Sequence, residues 1–298
     1  MKRIQEAEPA RVVDASLNYL APGSFINRRF MSPGAEINTG AYEPYAVKIG
    51  DGRPFKDSFT LDTHGFMLAQ HKSMVTDFFD KNQLDTIYIN EVIEAVKDLI
   101  GTDLVAPSGW MLRTSDMSKH PQQKVAGYSH KSGLQPMAGE PHVDLTQKSA
   151  ESRARQCYEK YFPDAKPYSR FVITSFWRTF SPPPQDYPLA VCDGRSVGRE
   201  EEAENTAVLV DEMPDREAML GELPSGKDYM VATIYRYRAE HRWWYFPNMT
   251  RDEVLVFKHY DSDHGTTWRC PHTAFKDSSF PDANTRESIE VRTFAYFP

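Results

Sequence analysis

The sequence predicts a mainly β fold with helical decoration (α+β), a sandwich or barrel of jelly-roll type. Short extended segments separated by turn signals recur through the C-terminal half. Only three segments have helical character, and the final extended segment alternates polar and apolar residues. No internal repeat or linker interrupts the chain, so one domain over residues 1–298 is expected.

Residues 1–110 are read as an N-terminal wrap with helices. Pro22-Gly23, Pro33-Gly34 and Gly50-Asp51-Gly52 mark turns in an irregular start, with a hairpin near Tyr45 to Leu61. A helix is expected around Met67 to Phe79. A second runs from Ile89 to Ile100, where Val92, Ile93, Val96, Leu99 and Ile100 form a stripe that stops at Gly101. Residues 115–140 are polar, with Gly, Ser and Pro, and read as a long loop and candidate lid.

The jelly-roll core is placed over 140–298. Gln147 to Tyr161 reads as a helix. Strands are expected at Arg170–Phe180, Leu189–Cys192, Thr206–Leu209, Asp228–Tyr237, Trp243–Phe246, Glu253–His259 and Glu287–Phe297. In the last of these, Arg286, Ser288, Glu290 and Arg292 occupy even positions and Ile289, Val291, Ala295 and Phe297 odd ones. One face of that strand should pack, and the other should carry polar groups toward a pocket.

Composition excludes several function classes. A net charge of −7 argues against a nucleic-acid partner, which needs a basic face. No apolar run approaches the roughly 18 residues that span a bilayer, so no membrane partner is expected. The N-terminal residues lack the apolar stretch of a signal peptide, and three scattered cysteines fit neither a disulfide framework nor a zinc site. A cytoplasmic location follows as the expectation. No Gly-x-Ser-x-Gly elbow supports a serine hydrolase.

His142-Val143-Asp144 is the most informative motif. Side chains one residue apart on a strand share a face, so His142 and Asp144 can reach one ion. A distant His272 can complete a facial set of two His and one carboxylate, the arrangement of non-haem Fe(II) oxygenases. The spacing alone is weak: with nine histidines and 42 acids in 298 residues, about one His-x-acid match arises by chance. A rival, His259-Tyr260-Asp261, follows a strand and reads as a polar strand end that lines the site mouth or orders the loop bearing His272. Arg286-Glu287-Ser288 suits a carboxylate, because a guanidinium makes two parallel bonds and the hydroxyl a third. The bland alternative is a salt bridge at a sheet edge.

A family resemblance covers residue 55 to the C-terminus. It is carried by Phe59-Thr60-Leu61-Asp62-Thr63-His64-Gly65-Phe66, His142-Val143-Asp144, Trp177-Arg178, Pro188-Leu189-Ala190-Val191-Cys192-Asp193 and Trp243-Trp244-Tyr245-Phe246. Asp252 to Lys258, Tyr260-Asp261-Ser262, His272-Thr273-Ala274-Phe275 and Arg286 to Arg292 complete it. In these segments the chain resembles the fungal and bacterial hydroxylase/desaturase family that includes aspergillic acid hydroxylase, a fungal gibberellin desaturase and a cephalosporin hydroxylase component.

The resemblance implies an Fe(II)/2-oxoglutarate oxygenase on a double-stranded β-helix of cupin-like type. It implies His142, Asp144 and His272 as iron ligands, with Arg286 and Ser288 anchoring the distal carboxylate of 2-oxoglutarate. Arg178 is implied as a further cofactor-pocket residue, and Arg292, on the same strand face as Arg286, is the reserve anchor. The chain departs from the family at Ser175 and Thr179, where Asn and Pro are usual.

The expected function is oxidation of a small specialised metabolite by C–H abstraction, using Fe(II), 2-oxoglutarate and O2. Hydroxylation, desaturation and ring closure share that first step. A non-catalytic jelly-roll binding protein and a zinc hydrolase using the same ligands are the alternatives. The segment Phe25 to Phe30, with Arg28 and Arg29, offers either a cationic contact for a carboxylated substrate or a solvated pair.

Overall fold

A computed structural model describes residues 9, 11–32, 35–120 and 134–298. Strands β1 (Val12–Leu20), β2 (Arg28–Ser32), β3 (Ala35–Asn38), β4 (Tyr42–Asp51) and β5 (Phe66–Gln70) come first. β6 (Leu104–Thr114), β7 (Leu134–Pro136), β8 (His142–Val143), β9 (Arg170–Thr179), β10 (Leu189–Cys192) and β11 (Glu202–Leu209) follow. The series ends with β12 (Met230–Tyr235), β13 (Trp243–Tyr245), β14 (Glu253–Asp261), β15 (His272–Ala274) and β16 (Glu287–Phe297). The two longest helices are α1 (Ile89–Ile100) and α2 (Gln147–Tyr161).

These strands form the jelly-roll core. One sheet of ten runs β1-β4-β13-β10-β15-β8-β12-β11-β2-β3, and one of six runs β5-β14-β9-β16-β6-β7. Alternation on β16 explains how the smaller sheet is covered. Its odd positions Ile289, Val291 and Ala295 share a core with Val92 and Val96 of α1, each of the Ile and Val side chains contributing about 1.5–3 kcal/mol by burial. On the even face, Phe294 and Tyr296 pack against Ala150, Ala154 and Tyr158 of α2. Ser288, Glu290 and Arg292 therefore stand on the uncapped part of the even face. Polar side chains are tolerated there because they bond to one another and to neighbouring strands.

Helix ends follow the sequence signals. Gly101 takes φ +79° and donates its N–H to the Lys97 carbonyl, closing α1 in a left-handed cap that glycine adopts without a Cβ clash. Thr146 caps α2 by accepting the Ser149 N–H.

The N-terminal expectations are corrected. The segment read as an irregular wrap supplies β1 to β4, and no hairpin spans Tyr45 to Leu61. β4 instead pairs antiparallel with β1 and parallel with β13, and a 3-10 turn follows at Arg53–Ser58. The helix expected at Met67–Phe79 is also absent. β5 pairs there with β14, and the chain then runs irregularly to Asp80. Val75 and Phe78 are buried in the core with α1, so their helix-like spacing reflects packing from an irregular segment. Of the candidate lid, residues 121–133 lie outside the described residues. Among the described residues, no helix is long and apolar enough to cross a membrane.

Candidate metal centre and carboxylate site

Local sequence leaves Asp144 little choice of direction. Val143 and Leu145 are buried on either side of it, and Thr146 is committed to capping α2. His142 on β8 and His272 on β15 are direct register partners in adjacent antiparallel strands, with ring centroids 4.5 Å apart. One ligating atom from each of His142, Asp144 and His272 lies within 4.8 Å of the others. The sequence-predicted triad is thus brought together.

The two histidines are oriented in the same way. His142 donates from Nδ1 to the Glu140 carbonyl at 2.8 Å, and His272 from Nδ1 to the Cys270 carbonyl at 3.1 Å. A carbonyl only accepts, so Nδ1 carries the proton and Nε2 is left with its lone pair for a cation. The two oxygens of Asp144 are divided as well. Oδ1 lies 3.4 Å from His142 Nε2, while Oδ2 accepts from Arg292.

Electrostatics suit a cation. Burial and then the neighbouring His142 and His259 rings drive His272 down to about 3, so it is neutral at ordinary pH. Burial also pulls His142 down, but the hydrogen bond and charge of Asp144 more than offset it and leave it raised. For Asp144, burial is outweighed by Arg292, His142 and His259, which hold the carboxyl well below its usual range. His272 is neutral and a cation would displace the proton that Asp144 favours on His142, so two imidazole nitrogens and one carboxylate oxygen form a donor set that fits a divalent transition metal.

The rival motif divides. Asp261 is fully buried and accepts from Arg170 Nε at 2.9 Å and Lys258 Nζ at 2.6 Å, a structural ion-pair network. His259 sits beside the site: Ser175 Oγ is 2.6 Å from its Nε2 and also donates to Glu290, and Asp144 Oδ2 is 3.8 Å away. Asp144, His259 and Glu290 form a second close group, but Arg292 already serves both carboxylates. Ser175 therefore ties His259 to Glu290 where the family usually has Asn. Sequence reasoning did not assign Glu290 a role, although it shares the even face with Arg286, Ser288 and Arg292.

Arg286 is 1% exposed, and its Nε and Nη2 are buried without a hydrogen-bond partner. Its backbone N–H is held by Ser115 Oγ and Asp186 Oδ1, each at 2.9 Å, and its guanidinium carbon is 5.8 Å from the Trp177 ring centroid. Burial first and then the nearby Arg113 lower its pKa to about 9. A charged group with unfilled donors in a dry site is costly unless an anion completes it. The residues therefore fit a carboxylate ligand. Ser288, also buried, is two residues along the same face.

Two other cofactor-pocket expectations change. Arg178 lies on the opposite face of β9, bonded from Nε to Tyr88 Oη at 3.0 Å and also to His71 and the Arg251 carbonyl. It braces the helix side of the sheet and does not reach the triad. Arg292 is engaged by Asp144 and Glu290, so its guanidinium is committed to these two carboxylates.

A cavity of about 360 Å³ reaches His142 and Asp144, with Glu290 and Arg292 also in its wall. Met31, Met111, Met117, Met230, Trp110 and Ile234 supply apolar lining. Arg29 also lines it and is paired with Glu36 at 2.8 Å, whereas Arg28 is turned away onto the Met219 and Gly221 carbonyls.

Comparisons with known proteins agree with this architecture. A family profile described as an oxidoreductase/YMDC permease-like domain matches residues 17–296. The chain is 31% identical to the hydroxylase/desaturase CTB9 of Cercospora beticola, over 86% of this chain and 78% of that protein. It is 27% identical to the Fe(II)/2-oxoglutarate-dependent dioxygenase nvfI of Aspergillus novofumigatus, over 89% and 87%. A solved structure of a variant of the iron and alpha-ketoglutarate-dependent endoperoxidase NvfI superposes with TM-score 0.76 at 22% identity, covering 98% of this chain and 99% of that one.

Proposed function

Since the chain belongs to the oxidoreductase family of these hydroxylase/desaturases and Fe(II)/2-oxoglutarate dioxygenases, we propose that it oxidises a small specialised metabolite with His142, Asp144 and His272 as iron ligands. The observation that carries this assignment is that one ligand atom from each of His142, Asp144 and His272 lies within 4.8 Å of the others. When bound, iron with 2-oxoglutarate and O2 supplies the oxidant for C–H abstraction, and 2-oxoglutarate leaves as succinate and CO2.

The protein's own contribution is positioning. The Glu140 and Cys270 carbonyls fix the imidazole planes and tautomers. Arg292 holds Asp144 Oδ2, which keeps Oδ1 available for the metal. Arg286 and Ser288 offer a buried guanidinium and hydroxyl to the distal carboxylate of 2-oxoglutarate. The methionine-lined cavity seats an apolar substrate, and thioether side chains adapt their shape to an irregular one. Water is kept from the reacting carbon by the same lining.

The test is succinate formation by anaerobically reconstituted protein given Fe(II) and 2-oxoglutarate and then air. Succinate that is lost in His272→Ala supports the reading. Absence of succinate, together with an iron spectrum that 2-oxoglutarate does not perturb, would remove it and favour a zinc hydrolase or a binding protein.

A further inference from the structure

The cavity wall and the buried anchor do not carry the same arginine. Arg286 and Ser288 lie behind the cavity lining, and Arg113 of β6 is the cation that lines it nearby. Arg113 is the register partner of Ser288 across the β6–β16 ladder, and directly opposed residues in an antiparallel pair point to the same face. β6 is locked to β16 at this end, because Ser115, two residues on, accepts the Arg286 backbone N–H.

Arg113 faces Ser288, two residues from Arg286 on the same strand face, so the two arginines are diagonal neighbours across the ladder. After burial, Arg113 is the first group that makes the Arg286 cation harder to keep. The acids that act most on Arg113 are Glu290 and Asp144, with Glu140 after them, and the first two are already served by Arg292. Its Nη1 donates to the Pro136 carbonyl at 2.8 Å, which aligns the guanidinium without neutralising it. Arg286 is buried and Arg113 half-buried at the cavity wall, and two like charges on one strand face repel unless an anion lies between them. A carboxylate with two oxygens is the ligand that two guanidiniums and a hydroxyl can share.

We propose that Arg113 is a second carboxylate-binding residue, which with Arg286 and Ser288 grips the distal carboxylate of 2-oxoglutarate. This inference rests on the oxygenase reading and adds a contact from a strand that carries none of the motif residues. Arg113 is a binding residue for the co-substrate. It leaves the keto acid end to the metal.

The experiment is anaerobic calorimetric titration of Fe(II)-loaded protein with 2-oxoglutarate and, separately, with pyruvate, which keeps the keto acid and lacks the distal carboxylate. In Arg113→Gln, 2-oxoglutarate affinity is expected to fall about tenfold or more, the loss of one charge-assisted pair, with pyruvate affinity and iron stoichiometry unchanged. Arg113→Lys, which keeps the charge but loses the fork, should fall between the two. It decides the matter alone if the Gln variant does not fold. Unchanged 2-oxoglutarate affinity overturns the proposal, including where the substrate KM changes instead, because the guanidinium then serves a substrate carboxylate. Equal losses for both ligands overturn it too, since the effect would lie at the metal. Wild-type protein that binds no 2-oxoglutarate removes the oxygenase reading and this inference together. Loss in Arg286→Gln with none in Arg113→Gln or Arg113→Lys removes only the inference.

Discussion

Replacing Arg286 with Met should make the ligand-free protein more stable and abolish its response to 2-oxoglutarate. The guanidinium is 1% exposed with two nitrogens unpartnered. The fall to about 9 corresponds to a difference of about 5 kcal/mol between its charged and neutral forms, an upper bound on the cost of keeping it charged. Methionine retains the apolar stem against Trp177 and removes the charge. Exchanges of buried charges for apolar residues gain about 1–4 kcal/mol, and for a chain of this size each is equivalent to about 2–4 °C in Tm. The folded pKa lies below the unfolded one. Below pH 9 the group is charged in both states and the full cost is present. Above pH 9 the folded protein releases its proton first and the cost recedes. The gap between variant and wild type should therefore be constant at neutral pH and narrow above pH 9. The assay is calorimetric unfolding of metal-free protein with and without 2-oxoglutarate. A variant that melts lower than wild type without ligand would refute the argument that Arg286 waits for an anion.

Arg292→Gln should weaken iron affinity by about 10–100-fold, the usual effect of losing a partner of a metal ligand, while binding of the distal carboxylate persists. Chelator competition measures this, and unchanged iron affinity would disconnect Arg292 from Asp144. Arg178→Met should leave 2-oxoglutarate affinity intact and lower stability by about 2–4 kcal/mol, since Tyr88 Oη, His71 Nδ1 and the Arg251 carbonyl lose a buried donor. A fall in 2-oxoglutarate affinity with unchanged Tm would return Arg178 to the cofactor pocket.

What could be read from the residues depended on how far apart the interacting pieces lie. The alternation in β16 and the stripe of α1 are local signals, and both elements stand where the sequence put them. β4 also alternates, but its partners are β1 and β13, so no local pattern could name them; a nearby hairpin was the natural misreading. Val75 and Phe78 mimic a helix because an irregular segment reaches into the same core that α1 covers. His142, Asp144 and His272 were legible from motif and resemblance. The division of Asp144 between metal side and Arg292 was not, because it needs β8 and β16 brought face to face. Arg178 shows the reverse error: its place next to Trp177 suggested the pocket, yet adjacent strand residues point to opposite faces. Arg113 lay in a segment with no recognised strand and drew no attention.

His142 and His272 form the single register pair that joins β8 to β15, and β8 is only two residues long. The ten-stranded sheet is therefore joined by a single register pair at this seam, between β1-β4-β13-β10-β15 on one side and β8-β12-β11-β2-β3 on the other. An ion held by both histidines acts as a rivet through that seam, and without it this is where the fewest ladder bonds resist separation. The β8 side carries Met31, Met230 and Ile234 of the cavity wall. On the proposed ligand set, an ion bridging the two histidines would therefore also tie this part of the cavity wall to the other half of the sheet.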